Sequence, residues 1–194
     1  MLGVILCGGQ STRMGTDKGL LKLATTTWAQ LTADKMKALQ IPVVLSVNPA
    51  QVNEYSSFFD PSILITDDPQ LDIHGPLRGV LSIHKLYPGE DLFVLACDMP
   101  LIEISILQQL VKQYAKNKDF DAFIFSNDNR PEPVCGIYTS KGLANILQQF
   151  ETRQLTKHSM KFMLEQLNTL VTPLQEDQKR FFVNANSPAH LNGL

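Results

Sequence analysis

Several large classes of protein are excluded by what this sequence lacks. It has three cysteines in 194 residues, Cys7, Cys97 and Cys135, widely separated and without a Cys-x-x-Cys pair. An odd, scattered set of this kind builds neither a disulfide framework nor a thiolate zinc site. A reducing, cytoplasmic setting is expected. No apolar run approaches the roughly 20 residues that a membrane-spanning helix needs. The opening Met1-Leu2-Gly3-Val4-Ile5-Leu6-Cys7 is too short, and lacks the basic leader, for a secretory signal; it reads as a first strand. Positive charge is not in excess either. Seventeen Lys and Arg against 19 Asp and Glu give a formal charge of −2, without the basic bias of a general nucleic-acid binder. His74, His84, His158 and His190 include no pair at metal-ligand spacing, and none is given a catalytic role. Neither the Walker A pattern nor Gly-x-Gly-x-x-Gly occurs, and no internal repeat or low-complexity tract interrupts the chain.

What is present reads as one α/β domain over residues 1–194, with 44% hydrophobic and 19% charged residues. Predicted strands are Leu2–Cys7, Val43–Val47, Ile63–Thr66, Leu92–Cys97, Ala122–Phe125, Val134–Tyr138, Leu170–Leu174 and Phe181–Val183. Predicted helices run from Trp28 to about Gln40, over Leu77–Leu86, around Ile104 to Val111, over Leu143–Phe150 and Ser159–Leu167, with a short one after Ser187-Pro188. Such alternation predicts a mainly parallel sheet covered on both faces, with ligands beyond the carboxyl ends of the strands.

Three strand ends carry groups suited to chemistry. The first strand stops at Gly8-Gly9, followed by Gln10-Ser11-Thr12-Arg13-Met14-Gly15-Thr16-Asp17-Lys18-Gly19. Glycines let backbone amides face a phosphate at close range, and Arg13 and Lys18 add fixed positive charge. The bland alternative is a glycine-rich turn with solvated charges. Leu95-Ala96-Cys97-Asp98-Met99-Pro100 ends a buried strand on a hard carboxylate, suited either to Mg²⁺ shared with substrate phosphates or to capping a turn. At Thr66-Asp67-Asp68 the carboxylates can accept hydrogen bonds from the NH-rich edge of guanine or from ribose hydroxyls, with Gly75-Pro76-Leu77-Arg78-Gly79 close behind. Cys7 and Cys97, each ending an apolar run, are read as packing residues.

Leu6 through Gly19 resembles the signature of the molybdenum cofactor guanylyltransferases, L-A-G-G-x-S-x-R-M-G-x-D-K-G. The likeness continues through Gly75-Pro76-Leu77-Arg78-Gly79 (G-P-L-A-G in the family), Cys97-Asp98-Met99-Pro100, and Phe182-Val183-Asn184-Ala185-Asn186-Ser187-Pro188 (F-x-N-x-N-T-P). It implies a Rossmann-like, three-layer nucleotidyltransferase fold. It also implies an Mg²⁺-dependent enzyme that joins GMP from GTP to molybdopterin, releases pyrophosphate and forms the guanine dinucleotide cofactor. Expected partners beyond these substrates are proteins of the cofactor pathway and molybdoenzyme chaperones, with no nucleic acid and no membrane.

Carried over by position, the resemblance implies that Leu6, Cys7, Gly8 and Gly9 line the guanine nucleotide, and that Lys18 and Arg13 meet its phosphates. It implies that Asp68 contacts the nucleoside, that Asp98 binds Mg²⁺ and nucleotide, and that Gly79, Lys157, Asn184 and Asn186 serve the pterin. Ser46 stands where the family has asparagine, with Asn48 two residues on, and joins the nucleotide set. Lys157 also fits a solvated helix face with Arg153 and Lys161, and the two asparagines fit a helix cap. Alternative readings are a cytidylyltransferase for the same pterin, a sugar-phosphate nucleotidyltransferase, and a non-catalytic GTP-binding regulator.

Overall fold

The structure is a computed structural model that describes residues 1–8 and 17–182. Expectations for Gly9, Arg13, Asn184, Asn186 and the terminal helix after Pro188 fall outside the described residues.

A seven-stranded sheet organises the chain. Its strands are β1 (Leu2–Leu6), β4 (Val43–Val47), β5 (Leu64–Thr66), β6 (Leu92–Ala96), β7 (Ala122–Asn127), β8 (Arg130–Tyr138) and β9 (Thr169–Pro173), in spatial order β5-β4-β1-β6-β8-β7-β9. A separate two-stranded ribbon pairs β2 (Lys22–Leu23) with β3 (Thr26–Thr27). The pairings β4·β5, β1·β4, β1·β6 and β7·β9 are parallel, and β8 runs antiparallel to both β6 and β7.

Central strands β1, β4 and β6 are apolar without alternation because both of their faces are covered. Ile5, Leu45, Phe93 and Leu95 face helices α1 (Trp28–Ala38), α2 (Val52–Tyr55) and α4 (Ile104–Lys116). Val4, Val44, Leu92 and Val94 face α3 (Pro76–Leu86), α5 (Ser140–Glu151) and α6 (Met160–Glu165). The three layers agree with the architecture expected from the sequence.

The helix boundaries follow local chemistry. Thr27 caps α1, its hydroxyl accepting from the Gln30 N–H at 3.2 Å. Gly75 precedes α3 at φ 76°, a left-handed conformation that a side chain disfavours, and Pro76 occupies the first turn, where no N–H is needed. Two readings change. Phe181 and Phe182 belong to a 3₁₀ turn over Lys179–Phe182, not to a strand, with Phe182 buried in edge contact with Phe125. The strand expected over Val134–Tyr138 starts at Arg130, because Asp128 and Asn129 both adopt positive φ and form a tight hairpin from β7.

One half-buried cation ties α1 to the loop beyond β6. Lys35 donates to the Pro100 carbonyl, and burial lowers its pKa to about 8 against the attraction of Asp34. The fold therefore penalises the charged form, so stability contributed at this position rises as pH climbs from about 8 to the unfolded value of 10.5. The melting temperature of the native protein relative to a Lys35→Met variant is expected to increase across that window and to stay level below it. A flat difference would show that the ammonium is well solvated.

Candidate functional site

Register places the three strand ends side by side. Leu6 pairs with Ser46 on one side and Ala96 on the other. The Cys7 N–H donates to Ser46 O at 2.9 Å, and the Cys97 N–H to Leu6 O at 3.1 Å. Gly8, Asn48 and Asp98 thus leave neighbouring strands at one rim, the carboxyl end of the parallel strands.

At this rim Lys18 Nζ lies 3.5 Å from Asp98 Oδ2, although 80 residues separate them in sequence. Both side chains are largely covered, at 29% and 22% exposure. Burial raises the Asp98 pKa, and the Lys18 ammonium opposes that rise. The carboxylate is therefore short of solvation and gains from any further cation. Among the described residues no three His, Cys, Asp or Glu side chains cluster to hold a metal by themselves. A hard carboxylate short of solvation nevertheless suits Mg²⁺, an ion that keeps several waters and commonly takes part of its shell from phosphate oxygens.

At the same rim, walled in part by Gly8 and Asn48, lies a cavity of about 670 Å³, within the range of small-molecule sites. Leu6, Gly8, Ser46, Asn48, Asp67 and Arg78 contribute to its walls. Gly8 has open space where a Cβ would project, so its lack of a side chain leaves the cavity mouth clear. At Gly79 a Cβ would come within 2.3 Å of Ser46 Oγ and 3.4 Å of a Leu6 methyl. A side chain there would force the Ser46 hydroxyl or α3 itself to move, so glycine suits this close approach. Gly79, assigned to the pterin by resemblance, thus shares this cavity with Ser46.

The two adjacent aspartates face different surroundings. Asp68 was expected to contact the nucleoside, but its carboxylate is engaged by Lys85 Nζ and the Gln70 N–H, which hold its pKa below the usual range. Asp67 instead lines the cavity, and burial raises its pKa against the attraction of Arg78. The Arg78 guanidinium donates to the Asp68 carbonyl at 3.1 and 3.3 Å, fixing the turn that presents both. The sequence offers both carboxylates as acceptors and the resemblance favours Asp68, whereas it is Asp67 that lines the cavity; Arg78 carries no expected role of its own.

A further cavity of about 500 Å³ opens between the ends of β7 and β9 and α6, with Ser126, Asn129, Lys161 and Glu165 among its walls. Lys161 thus lines a cavity, whereas Lys157 is exposed and sits over the Phe162 ring at 5.7 Å. Cys7 and Cys97 are both buried. The Cys97 thiol is pushed up by its hydrogen bond with Cys7 and by burial, which keeps it protonated and unsuited to nucleophilic attack.

The sequence model of the MobA-like NTP transferase domain matches residues 3–170. A probable molybdenum cofactor guanylyltransferase of Geobacillus sp. (strain WCH70) is 30% identical over 156 residues, which are 79% of this chain and 78% of that protein. The molybdenum cofactor guanylyltransferase of Campylobacter jejuni (strain RM1221) is 27% identical over 183 residues, 94% of this chain and 89% of the relative. Among solved structures, the molybdopterin-guanine dinucleotide biosynthesis protein A of Archaeoglobus fulgidus superposes with a TM-score of 0.77 at 23% identity, covering 99% of this chain and 95% of that one.

Proposed function

Because the chain belongs to the family of MobA-like NTP transferases, we propose that it transfers GMP from GTP to the terminal phosphate of molybdopterin, making the guanine dinucleotide and pyrophosphate. The names of its guanylyltransferase relatives support this reading. The observation that carries it is the meeting of Lys18 and Asp98 at the strand-end rim from which Gly8 and Asn48 line a nucleotide-sized cavity.

In the proposed reaction an oxygen of the pterin phosphate attacks the α-phosphorus of GTP. A new P–O bond forms as the bond from the α-phosphorus to the bridging oxygen breaks, and pyrophosphate leaves with that electron pair. The nucleophile is already ionised, so no general base is required. Lys18, with Arg13 as its expected partner, neutralises charge growing on the pyrophosphate. Asp98 would hold Mg²⁺, which supplies Lewis-acid polarisation of the phosphate when bound. Gly8 leaves the backbone near the nucleotide unobstructed, and Ser46 and Gly79 form the floor beneath it. The cavity at β7 and β9, with Lys161 on its wall, is the proposed seat of the phosphorylated pterin.

Within the donor cavity we assign guanine reading to Asp67, whose carboxylate can accept from two N–H groups on the base edge. Asp67→Asn is expected to raise KM for GTP about tenfold, the cost of losing one charge-assisted hydrogen bond, with kcat changed much less. Asp68→Asn should leave KM near the native value, since that carboxylate is already occupied by Lys85 and Gln70. Steady-state kinetics on both variants make the comparison, and the reverse ranking would return the role to Asp68.

The overall reading is tested by incubating the protein with Mg²⁺, molybdopterin and each nucleoside triphosphate in turn, then quantifying pyrophosphate and dinucleotide. Guanine dinucleotide from GTP supports it. Product from CTP alone would make the protein a cytidylyltransferase, and nucleotide binding without turnover would make it a regulator.

A further inference from the structure

Two residues outside the expected signature converge on the ends of the glycine-rich segment. Gln51 follows the cap at Asn48 and is itself buried. Its side-chain amide donates to the Cys7 carbonyl at 3.0 Å and also to Asp17 Oδ2, so one NH₂ group bridges the residues flanking that segment. Its Oε1 accepts from the Asn48 N–H at 2.7 Å, which fixes the amide's orientation. Tyr55, on α2, is fully buried and donates to Asp17 Oδ1 at 2.6 Å. The same oxygen accepts from the Gly19 N–H at 2.9 Å.

We propose that Gln51 and Tyr55 are positioning residues: they clasp Asp17 and thereby hold the Lys18 ammonium against Asp98. The role rests on the guanylyl-transfer reading, in which Lys18 serves the departing pyrophosphate. Asp17 and Lys18 are adjacent, so fixing the Asp17 carboxylate at three donors fixes the backbone from which Lys18 extends. Gly19 completes the clasp. A Cβ there would come within 2.1 Å of the Tyr55 hydroxyl and 3.2 Å of its ring carbon, so the tyrosine occupies the place a side chain would need. Burial and the neighbouring Cys7, Cys97 and Asp17 keep the Tyr55 phenol protonated, and hence a donor, at any ordinary pH. Its ring packs on Phe59 at 5.8 Å independently of the hydroxyl, so Tyr55→Phe separates positioning from packing.

In Tyr55→Phe the melting temperature should stay within a few degrees of native while kcat falls about tenfold, as expected when a charge-bearing group drifts from its place. Gln51→Met, which removes both bridging donors, serves if the first variant folds poorly. The decisive measurement is a double-mutant cycle with Lys18→Met. If Tyr55 acts through Lys18, Tyr55→Phe costs nothing further in that background. An equal loss in both backgrounds, or no loss in the native one, overturns the proposal. Substrate-free hydrogen exchange adds an independent reading: amides at 17–21 should exchange faster in Tyr55→Phe, with α1 unchanged, and unaltered exchange also overturns it. If the native protein formed no guanine dinucleotide, the guanylyl-transfer reading would fall. The same cycle read as affinity for a fluorescent GTP analogue would then decide the positioning role by itself.

Discussion

Asp98→Asn is expected to yield a folded protein, at least as stable as the native one, whose turnover has dropped by a factor on the order of 10² or more. The two halves of this expectation come from one property of the site. Burial lifts the Asp98 pKa despite the nearby Lys18, so the net effect of the fold is to disfavour the carboxylate. A group whose acid pKa is raised in the folded state withdraws stability as pH rises through that range, and a neutral amide of the same shape avoids the withdrawal. The melting temperature of Asp98→Asn should therefore equal or exceed the native value at neutral pH, the two converging in acid. Activity moves the other way, because the variant loses the anionic oxygen that would take a metal ion and that faces Lys18 at 3.5 Å. The test is kcat at saturating GTP and limiting Mg²⁺, with a melting curve on the same sample. Near-native turnover would remove Asp98 from the mechanism. A collapsed melting temperature would mean that the carboxylate serves the fold.

The second large effect concerns Trp28, the sole tryptophan of the chain. It opens α1 and is fully buried against Leu21, Leu23, Leu31 and Leu101, a cluster apart from the two main cores. Its backbone N–H donates to Leu21 O at 2.9 Å, so helix and ring together pin the segment that follows Lys18. Among the described residues, however, its indole N–H has no hydrogen-bond partner. Trp28→Ala should cost about 3–5 kcal/mol through lost contact and the cavity left behind. For a chain of this size that lowers the melting temperature by roughly 10 °C. Trp28→Phe keeps an aromatic ring and removes a buried donor whose desolvation costs about 1–3 kcal/mol, so its net penalty should be under about half that of alanine. Thermal or denaturant unfolding of both variants gives the comparison. Equal penalties would mean that the indole N–H finds a partner in solution.

The placement of Gly8 and Asp98 at the sheet's rim was legible from sequence because both sit where apolar runs stop. Leu2–Cys7 and Leu92–Cys97 announce buried strands by continuous hydrophobicity, and the residues that follow, Gly8 and Asp98, must then lie at strand ends. Direction was less legible. The apolar stretch Val134–Tyr138 reads alike whichever way it runs, and the reversal of β8 is set by the positive φ of Asp128 and Asn129. Pro131 and Pro133 also disguised the first half of β8 as loop. The choice between Asp67 and Asp68 could not be read from composition. Neighbouring residues at a strand end diverge, and which of them meets the cavity depends on Lys85 and Arg78 from α3. Gln51 and Tyr55 gave no local signal, since they act on Asp17, 34 and 38 residues earlier in the chain.

The two cavities also draw on separate stretches of the chain. Every described wall of the larger cavity comes from residues between Leu6 and Gly79, and every described wall of the smaller one from residues between Ile124 and Val171. The stretches do not interleave, and α4 lies between them along the chain. Recombination with a relative at α4 would exchange one set of walls whole and leave the other intact. The described walls of one cavity can thus be exchanged without touching those of the other, although both rest on one sheet.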